Sequence, residues 1–448
     1  MERPGMKLYH ALPWGGAGLA LLLATLLKAG GLTLGNAADK LIVALIVCIL
    51  AALALCVLAA QGYPRTLVWA CLFPVALALF LRLLSLDHIT LDYEDFLSRW
   101  TEAFRAGGGF SALKLDIGNY NVPYLYFLAA VSCAKFPDLY AIKLFSILFD
   151  FVLAWGGLRL TRALSGKGSL RPAFAFCLLL LLPTAILNGA YWGQCDSIYA
   201  SLIMHAIASA LRKKPASSVL LLALAFSCKL QSIFLIPLWC ILWYSGRIKF
   251  RHLLLFPVGY FASIAPALLL GKPLTEILSV YAGQMGQYTH ALSLNAPSVF
   301  SLIPRNIQVN AGLASSAGII AAFTLVFLLL ALLFPLRRQL EDSVILGSAV
   351  ILAVGVPFLL PYMHERYFFV ADALTLVWAC ADTRRVFHAA GVQVSSLGGY
   401  HAYLRLRYAF PLTLFGYTFP MGAEAVLMLM VLLSAFVIIW NKIGHNDQ

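Results

Sequence analysis

The sequence predicts an all-α polytopic membrane protein, with residues 1–448 forming one integral-membrane domain of about 12 or 13 transmembrane helices. Three observations predict it. Of the residues, 62% are hydrophobic and only 11% are charged, whereas a soluble domain carries roughly 25% charged residues. Mean hydropathy is +0.87, and apolar runs of about 20 residues, the length that crosses a bilayer core, recur along the chain. The lysines and arginines behind a net charge of +13 gather in short loops between those runs. Topology accounts for that spacing better than a nucleic-acid surface does, so no nucleic-acid partner is expected. The nine cysteines form no C-x-x-C pair, and most lie inside apolar runs, which argues against structural zinc and redox work.

The first apolar run, near 11–29, reads as a first span and not as a removed signal peptide, because no cleavage-site pattern closes it and further spans follow. Arg3 and Lys7 precede it, and Arg65 precedes the third run. Further basic loops carry Arg159, Arg162, Lys167 and Arg171; Arg212, Lys213 and Lys214; Arg247, Lys249 and Arg251; Arg337 and Arg338; and Arg384 and Arg385, continuing to Arg405 and Arg407. Under the positive-inside rule these are cytoplasmic. The external face then receives 87–120, the turn 188–196, the loop 271–312 and the turn 364–366. Two stretches break the alternation. If 66–86 runs outward and 138–160 inward, the stretch 121–136, about 16 residues, cannot also cross, so it is expected at or dipping into the external face. The stretch 217–246 lies between two basic loops and reads as a hairpin of two short helices or a re-entrant element, with Lys229 and Gln231 near its turn.

Ionisable groups at membrane depth are costly, so those that remain ask for a function. The densest acidic cluster is "LDYEDFLSRW", with Asp92, Glu94 and Asp95 immediately after the third span. Asp92 falls at the membrane–water boundary. Phe96, Leu97, Trp100 and Phe104 are spaced for an amphipathic helix lying in the interface, ended by Gly107, Gly108 and Gly109. Asp116, Asn119 and Tyr120 then precede Pro123, which opens the short apolar element. Together 87–136 make an external loop with juxtamembrane helices. Glu94 and Glu102 also fit a plain solvated face.

Three further groups share that side. In "LNGAYWGQCDSIYASL" a turn carries Asn188, Trp192, Gln194 and Asp196. Asp196 reads either as a helix N-cap or as one of the groups that hydrogen-bond sugar hydroxyls, while Trp192 suits stacking on a sugar ring. "PYMHERYFF" places His364, Glu365 and Arg366 together, and an arginine at a membrane boundary can grip a lipid phosphate bidentately. Lys229 could neutralise the same anion or pair with a carboxylate. The loop 271–312, with Tyr281, Gln284, Gln287, Tyr288, His290, Asn295 and Pro297, has the length of a lid.

At these residues the chain resembles the GT-C superfamily of integral-membrane glycosyltransferases, which use polyprenyl-phosphate sugars. "LDYEDFLSRW" is similar to the acidic D-Y-E-x-x-x-x-x-W stretch in the first external loop of the dolichol-linked glucosyltransferases. "NYNVPYLYFLA" resembles the Y-P-P-L-x-x-Y element, with Asn121 and Val122 where the first proline is expected. "WGQCDSIYA" and "HERYFFVADAL" look similar to bacterial relatives of the GPI-anchor mannosyltransferases. The resemblance covers roughly 85–410 and implies a GT-C-like bundle in a bacterial plasma membrane, with the site facing outward. It implies inverting transfer of a mannose-like or glucose-like hexose from a polyprenyl-phosphate sugar to a lipid-linked or cell-envelope glycan acceptor, with membrane lipids as further partners. By its place in the motif Asp92 is the general base and Asp95 the reserve. Glu94, Asp116, Asn119, Tyr120, Trp192, Gln194, Asp196, Lys229, Gln231, His364, Glu365 and Arg366 would bind substrate. No cofactor or metal is expected, although Asp92 with Asp196 could ligate one. A transporter or flippase of lipid-linked sugar is the alternative, but it would be expected to show inverted repeats and midplane ionisable groups.

Overall fold

The computed structural model describes residues 7–166, 168–286, 289–304 and 310–444, so Arg3, Lys167, Gln287 and Tyr288 lie outside the described residues. Among the described residues nine helices are long and apolar enough to cross a membrane: Leu8–Gly30, Ala37–Ala60, Arg65–Leu84, Asp138–Ser165, Arg171–Trp192, Phe250–Leu269, Ala311–Leu333, Asp342–Leu359 and Gly422–Lys442. Four shorter apolar helices accompany them: Val122–Cys133, Asp196–Leu211, Pro215–Cys228 and Leu230–Tyr244. The chain is a polytopic helical membrane protein. It folds as two compact units, Met1–Ser201 with Ser263–Leu278, and Leu202–Ala262 with Ser279–Gln448.

In the first unit the stretch after the third span is helical but not uniformly so. A π-turn, Tyr93–Leu97, which buries Leu97, leads into the helix Ser98–Ala106, which buries Thr101 and Phe104. That helix stops where Gly108 and Gly109 take positive φ, 82° and 67°. The apolar element after Asn121 is a helix of 12 residues, Val122–Cys133, roughly 18 Å long and too short to cross, as the alternation of loops requires. Its N-terminus is capped by Asn121 Oδ1, which accepts from the Val122 N–H at 2.9 Å.

Charged groups that the apolar pattern conceals hold the helices of this unit together. Arg82 Nε donates to Asp150 Oδ2 at 2.8 Å, and Arg82 Nη1 donates to the carbonyls of Ala78 and Leu180 at 3.1 and 2.7 Å. Ser197 donates to Asp150 Oδ1. Lys143 Nζ donates to the carbonyls of Ser85, Leu86 and His88 at 2.8, 3.3 and 2.5 Å, covering the chain end that leaves the third span. Asp87 accepts from Tyr140 Oη at 2.5 Å, from Thr33 N at 3.0 Å and from Thr33 Oγ1 at 2.9 Å. Burial alone would raise the Asp87 carboxyl, but these bonds and the Lys28 charge hold it below its ordinary value.

In the second unit 217–246 is a hairpin of two short helices. Pro215–Cys228 and Ile236–Tyr244 lie side by side, with Trp239 Nε1 donating to Ser218 Oγ at 3.1 Å. Extended Lys229 and the 3-10 turn Leu230–Leu235 join them. Helices Asp342–Leu359, Phe369–Ala381, Val386–Arg405 and Gly422–Gly444 then alternate in direction. Lys442 Nζ bonds Glu341 Oε2 at 3.1 Å, so the last helix ends where Asp342–Leu359 begins. One loop assignment changes. Arg384 and Arg385 do not share a loop with Arg405 and Arg407, because the 20-residue helix Val386–Arg405, roughly 30 Å long, puts the two pairs at opposite ends. Its glycines, serines and two histidines leave it without a continuous apolar run.

A candidate site around Asp92 and a basic cluster around Arg366

The first unit gathers part of the expected site. Asp92 sits one residue ahead of the π-turn, and its Oδ2 accepts from Trp192 Nε1 at 2.9 Å and from Gln194 Nε2 at 2.7 Å. Two donors on one oxygen fix the plane of the carboxylate. The donors come from a second irregular segment, the π-turn Ile186–Trp192 closed by Gly193 with φ 85°, where Trp192 is fully buried. Thr90 Oγ1 donates to the Trp192 carbonyl at 3.0 Å and locks the two segments together. His88 stacks on Tyr191 with ring centroids 3.9 Å apart. Tyr120 Oη lies 3.4 Å from Gln194 Oε1, and its ring meets Trp100 edge-on at 5.8 Å. An oriented carboxylate thus lies among aromatic rings and an amide.

Other expected residues fall elsewhere in this unit. Asp95 is 53% exposed and pairs with Arg99 Nη2 at 3.1 Å, one turn along its helix. Glu94 and Asp116 are exposed, and Asn119 is half-buried. Asp196 is buried at the start of Asp196–Leu211 and accepts from Asn188 Nδ2 at 2.8 Å, while Asn188 Oδ1 accepts from the Asp196 N–H at 3.3 Å. Asn188 and Asp196 therefore brace the turn that carries Trp192 and Gln194. Sequence reasoning missed Thr90, Lys143, Arg82 and Asp150. For the last three the signal was present, a lone charge inside an apolar run.

The second unit holds the basic group. Ser293–Leu294 pairs in parallel with Met363–His364, and Tyr362 N donates to the Leu292 carbonyl at 2.8 Å, so part of the loop 271–312 is clipped to the 364–366 turn. Tyr281, from the helix Leu274–Gly286, donates to the Phe226 carbonyl. Glu365 is fully buried and accepts from Arg366 Nη1 at 3.3 Å. Gly399 makes the close approach possible. A Cβ there would meet the Asn295 carbonyl at 2.8 Å and Glu365 Cβ at 2.9 Å. Lys229 and Gln231 are buried at the tip of their hairpin.

His364 is pushed down to about 2, first by burial and then by the neighbouring charges of Arg366 and Lys229. It therefore serves as a neutral hydrogen-bonding group, and the positive charge of the cluster comes from Arg366 and Lys229. The sign for stability follows. Below the ordinary histidine value near 6.5 the unfolded chain takes up a proton that folded His364 refuses, so stability falls as pH drops below about 6.5. Thermal midpoints in detergent between pH 5 and 8 check this: His364→Gln should show a shallower decline below 6.5 than the wild type. Identical slopes would mean that His364 is protonated in the fold.

No protein-family model matches the chain, and no curated protein matches it.

Proposed function

We propose that the protein is a membrane-embedded glycosyltransferase of the GT-C kind. It would move a hexose from a polyprenyl-phosphate sugar to an acceptor hydroxyl at the outer face of a bacterial plasma membrane. The observation that carries this reading is the Asp92 carboxylate, held by Trp192 and Gln194 in the segment that follows the third span. Its motif resemblance and the aromatic surroundings support it. In the proposed step Asp92 takes the proton of the acceptor hydroxyl as that oxygen forms its bond to C1 of the sugar. The bond from C1 to the phosphate oxygen breaks on the opposite face, with inversion, and polyprenyl phosphate leaves. Trp192 and Gln194 keep the accepting carboxylate from rotating away. Arg366 and Lys229 have the chemistry to hold a phosphate, Arg366 by two parallel N–H bonds and Lys229 as a point charge.

The test is transfer of labelled sugar from polyprenyl-phosphate mannose or glucose by the purified protein, with envelope lipid extract as acceptor. The wild type should transfer label, and Asp92→Asn should not. Absence of transfer with both donors, together with uptake or flipping of the lipid-linked sugar by proteoliposomes, would favour the second reading, a transporter. The Arg82–Asp150 pair inside two spans is the observation in its favour, because transporters place ionisable groups at membrane depth.

A further inference from the structure

The helix Val386–Arg405 ends at Leu406, and a small hairpin follows before the last span begins at Gly422. Leu412–Leu414 pairs antiparallel with Tyr417–Phe419 in the register Leu414 to Tyr417. Phe415 and Gly416 are therefore the two-residue turn, with φ of 51° and 79°. Turns of this type favour Asn, Asp or Gly at the first central position. A phenylalanine there is strained, and its side chain, 97% exposed, adds nothing to the hairpin. Leu406, Phe410, Leu414 and Tyr417 are exposed around it. Arg405 and Arg407 are exposed too, and no acidic residue occurs from Thr383 to Gly422.

Where this patch lies is set by its neighbours. Before it comes a helix of roughly 30 Å, the thickness of a bilayer core, and directly after it comes a span. Tyr408 Oη donates to Asn295 Oδ1 at 3.2 Å, and Asn295 is bridged to His364, so the hairpin stands at the same end of the second unit as the 364–366 turn. Aromatic and aliphatic side chains mixed with arginines and free of acids match the boundary between lipid headgroups and acyl chains.

We propose that 406–421 is a shallow membrane anchor, with Phe415 inserted among the lipids of the leaflet on the His364 side and Arg405 and Arg407 at their phosphates. This assignment is independent of glycosyl transfer. Its test is Phe415→p-benzoylphenylalanine in nanodiscs of phosphatidylcholine and phosphatidylglycerol, irradiated and digested. The peptide carrying position 415 should gain the mass of a phospholipid, and the thermal midpoint in detergent should match the wild type. A peptide without lipid, or one crosslinked to another part of the chain, overturns the assignment. So does crosslinking in native membranes to a second polypeptide in place of lipid.

Discussion

Asp92→Asn is expected, on the proposed function, to lower the rate of sugar transfer by about 10²–10⁴, the range for removing a positioned general base. The substitution keeps size and shape. An asparagine oxygen can still accept from Trp192 Nε1 and Gln194 Nε2, so the segments around it should stay in place. What is lost is the ability to take a proton. The fall should therefore appear in kcat with donor KM little changed, and the thermal midpoint should stay within a few degrees of wild type. Asp95→Asn is the control, because that side chain is half exposed and bound to Arg99, and its activity should stay within about twofold of wild type. Single-turnover transfer measured on all three proteins decides the matter. Near wild-type turnover in Asp92→Asn removes Asp92 from the chemistry.

The largest effect on stability should come from separating Arg82 and Asp150. Both are almost wholly buried, and Asp150 lies roughly 18 Å along its helix from Asp138. Removing one partner leaves the other charge in a low-dielectric interior, which typically costs about 3–5 kcal/mol. Arg82→Met leaves Asp150 with Ser197 as a donor, and it also removes the bonds to Ala78 and Leu180. Asp150→Leu leaves the guanidinium with those two carbonyls. Each single variant should lower the unfolding midpoint in detergent sharply. The double variant Arg82→Met, Asp150→Leu should recover much of the loss, because a neutral apolar pair of similar volume has no charge to desolvate. A double variant as unstable as the sum of the singles would show that the pair contributes as separate contacts.

The fold class was legible because hydrocarbon thickness and backbone hydrogen bonding leave few choices to an apolar chain. The short element after Asn121 and the hairpin around Lys229 were legible for a related reason, since parity between basic loops excludes a full crossing. Asp92, Trp192 and Gln194 could be singled out as polar groups crowded at span ends. That Trp192 and Gln194 reach the same carboxylate oxygen could not, because two π-turns aim them and no residue type marks a π-turn. Asp196 illustrates the limit. As an acid in a turn it reads equally as cap or ligand, and its bonds to Asn188 appear only in the fold. Arg82, Lys143 and Asp150 carried the same signal as Lys229, but their partners depend on how distant helices pack. The composition of Val386–Arg405 does not mark it as a helix, so the sequence alone joins Arg405 and Arg407 to the loop of Arg384 and Arg385, which the fold separates.

The Arg82–Asp150 pair also bears on how the chain enters its membrane. The two residues are 68 positions apart, so at 5–20 residues per second Arg82 is synthesised roughly 3–14 seconds before its partner. During that wait it sits two residues from the end of Leu72–Leu84, where a long side chain can bend its charge to the aqueous boundary. An aspartate is too short to do so. It arrives second, after its counter-ion has been made, so the third and fourth spans should insert as a single unit. Exchanging the charges, Arg82→Asp with Asp150→Arg, preserves the pair but reverses the order of arrival. The exchanged chain should accumulate as non-inserted or degraded protein in a membrane-insertion assay, and wild-type yields would mean that order is immaterial.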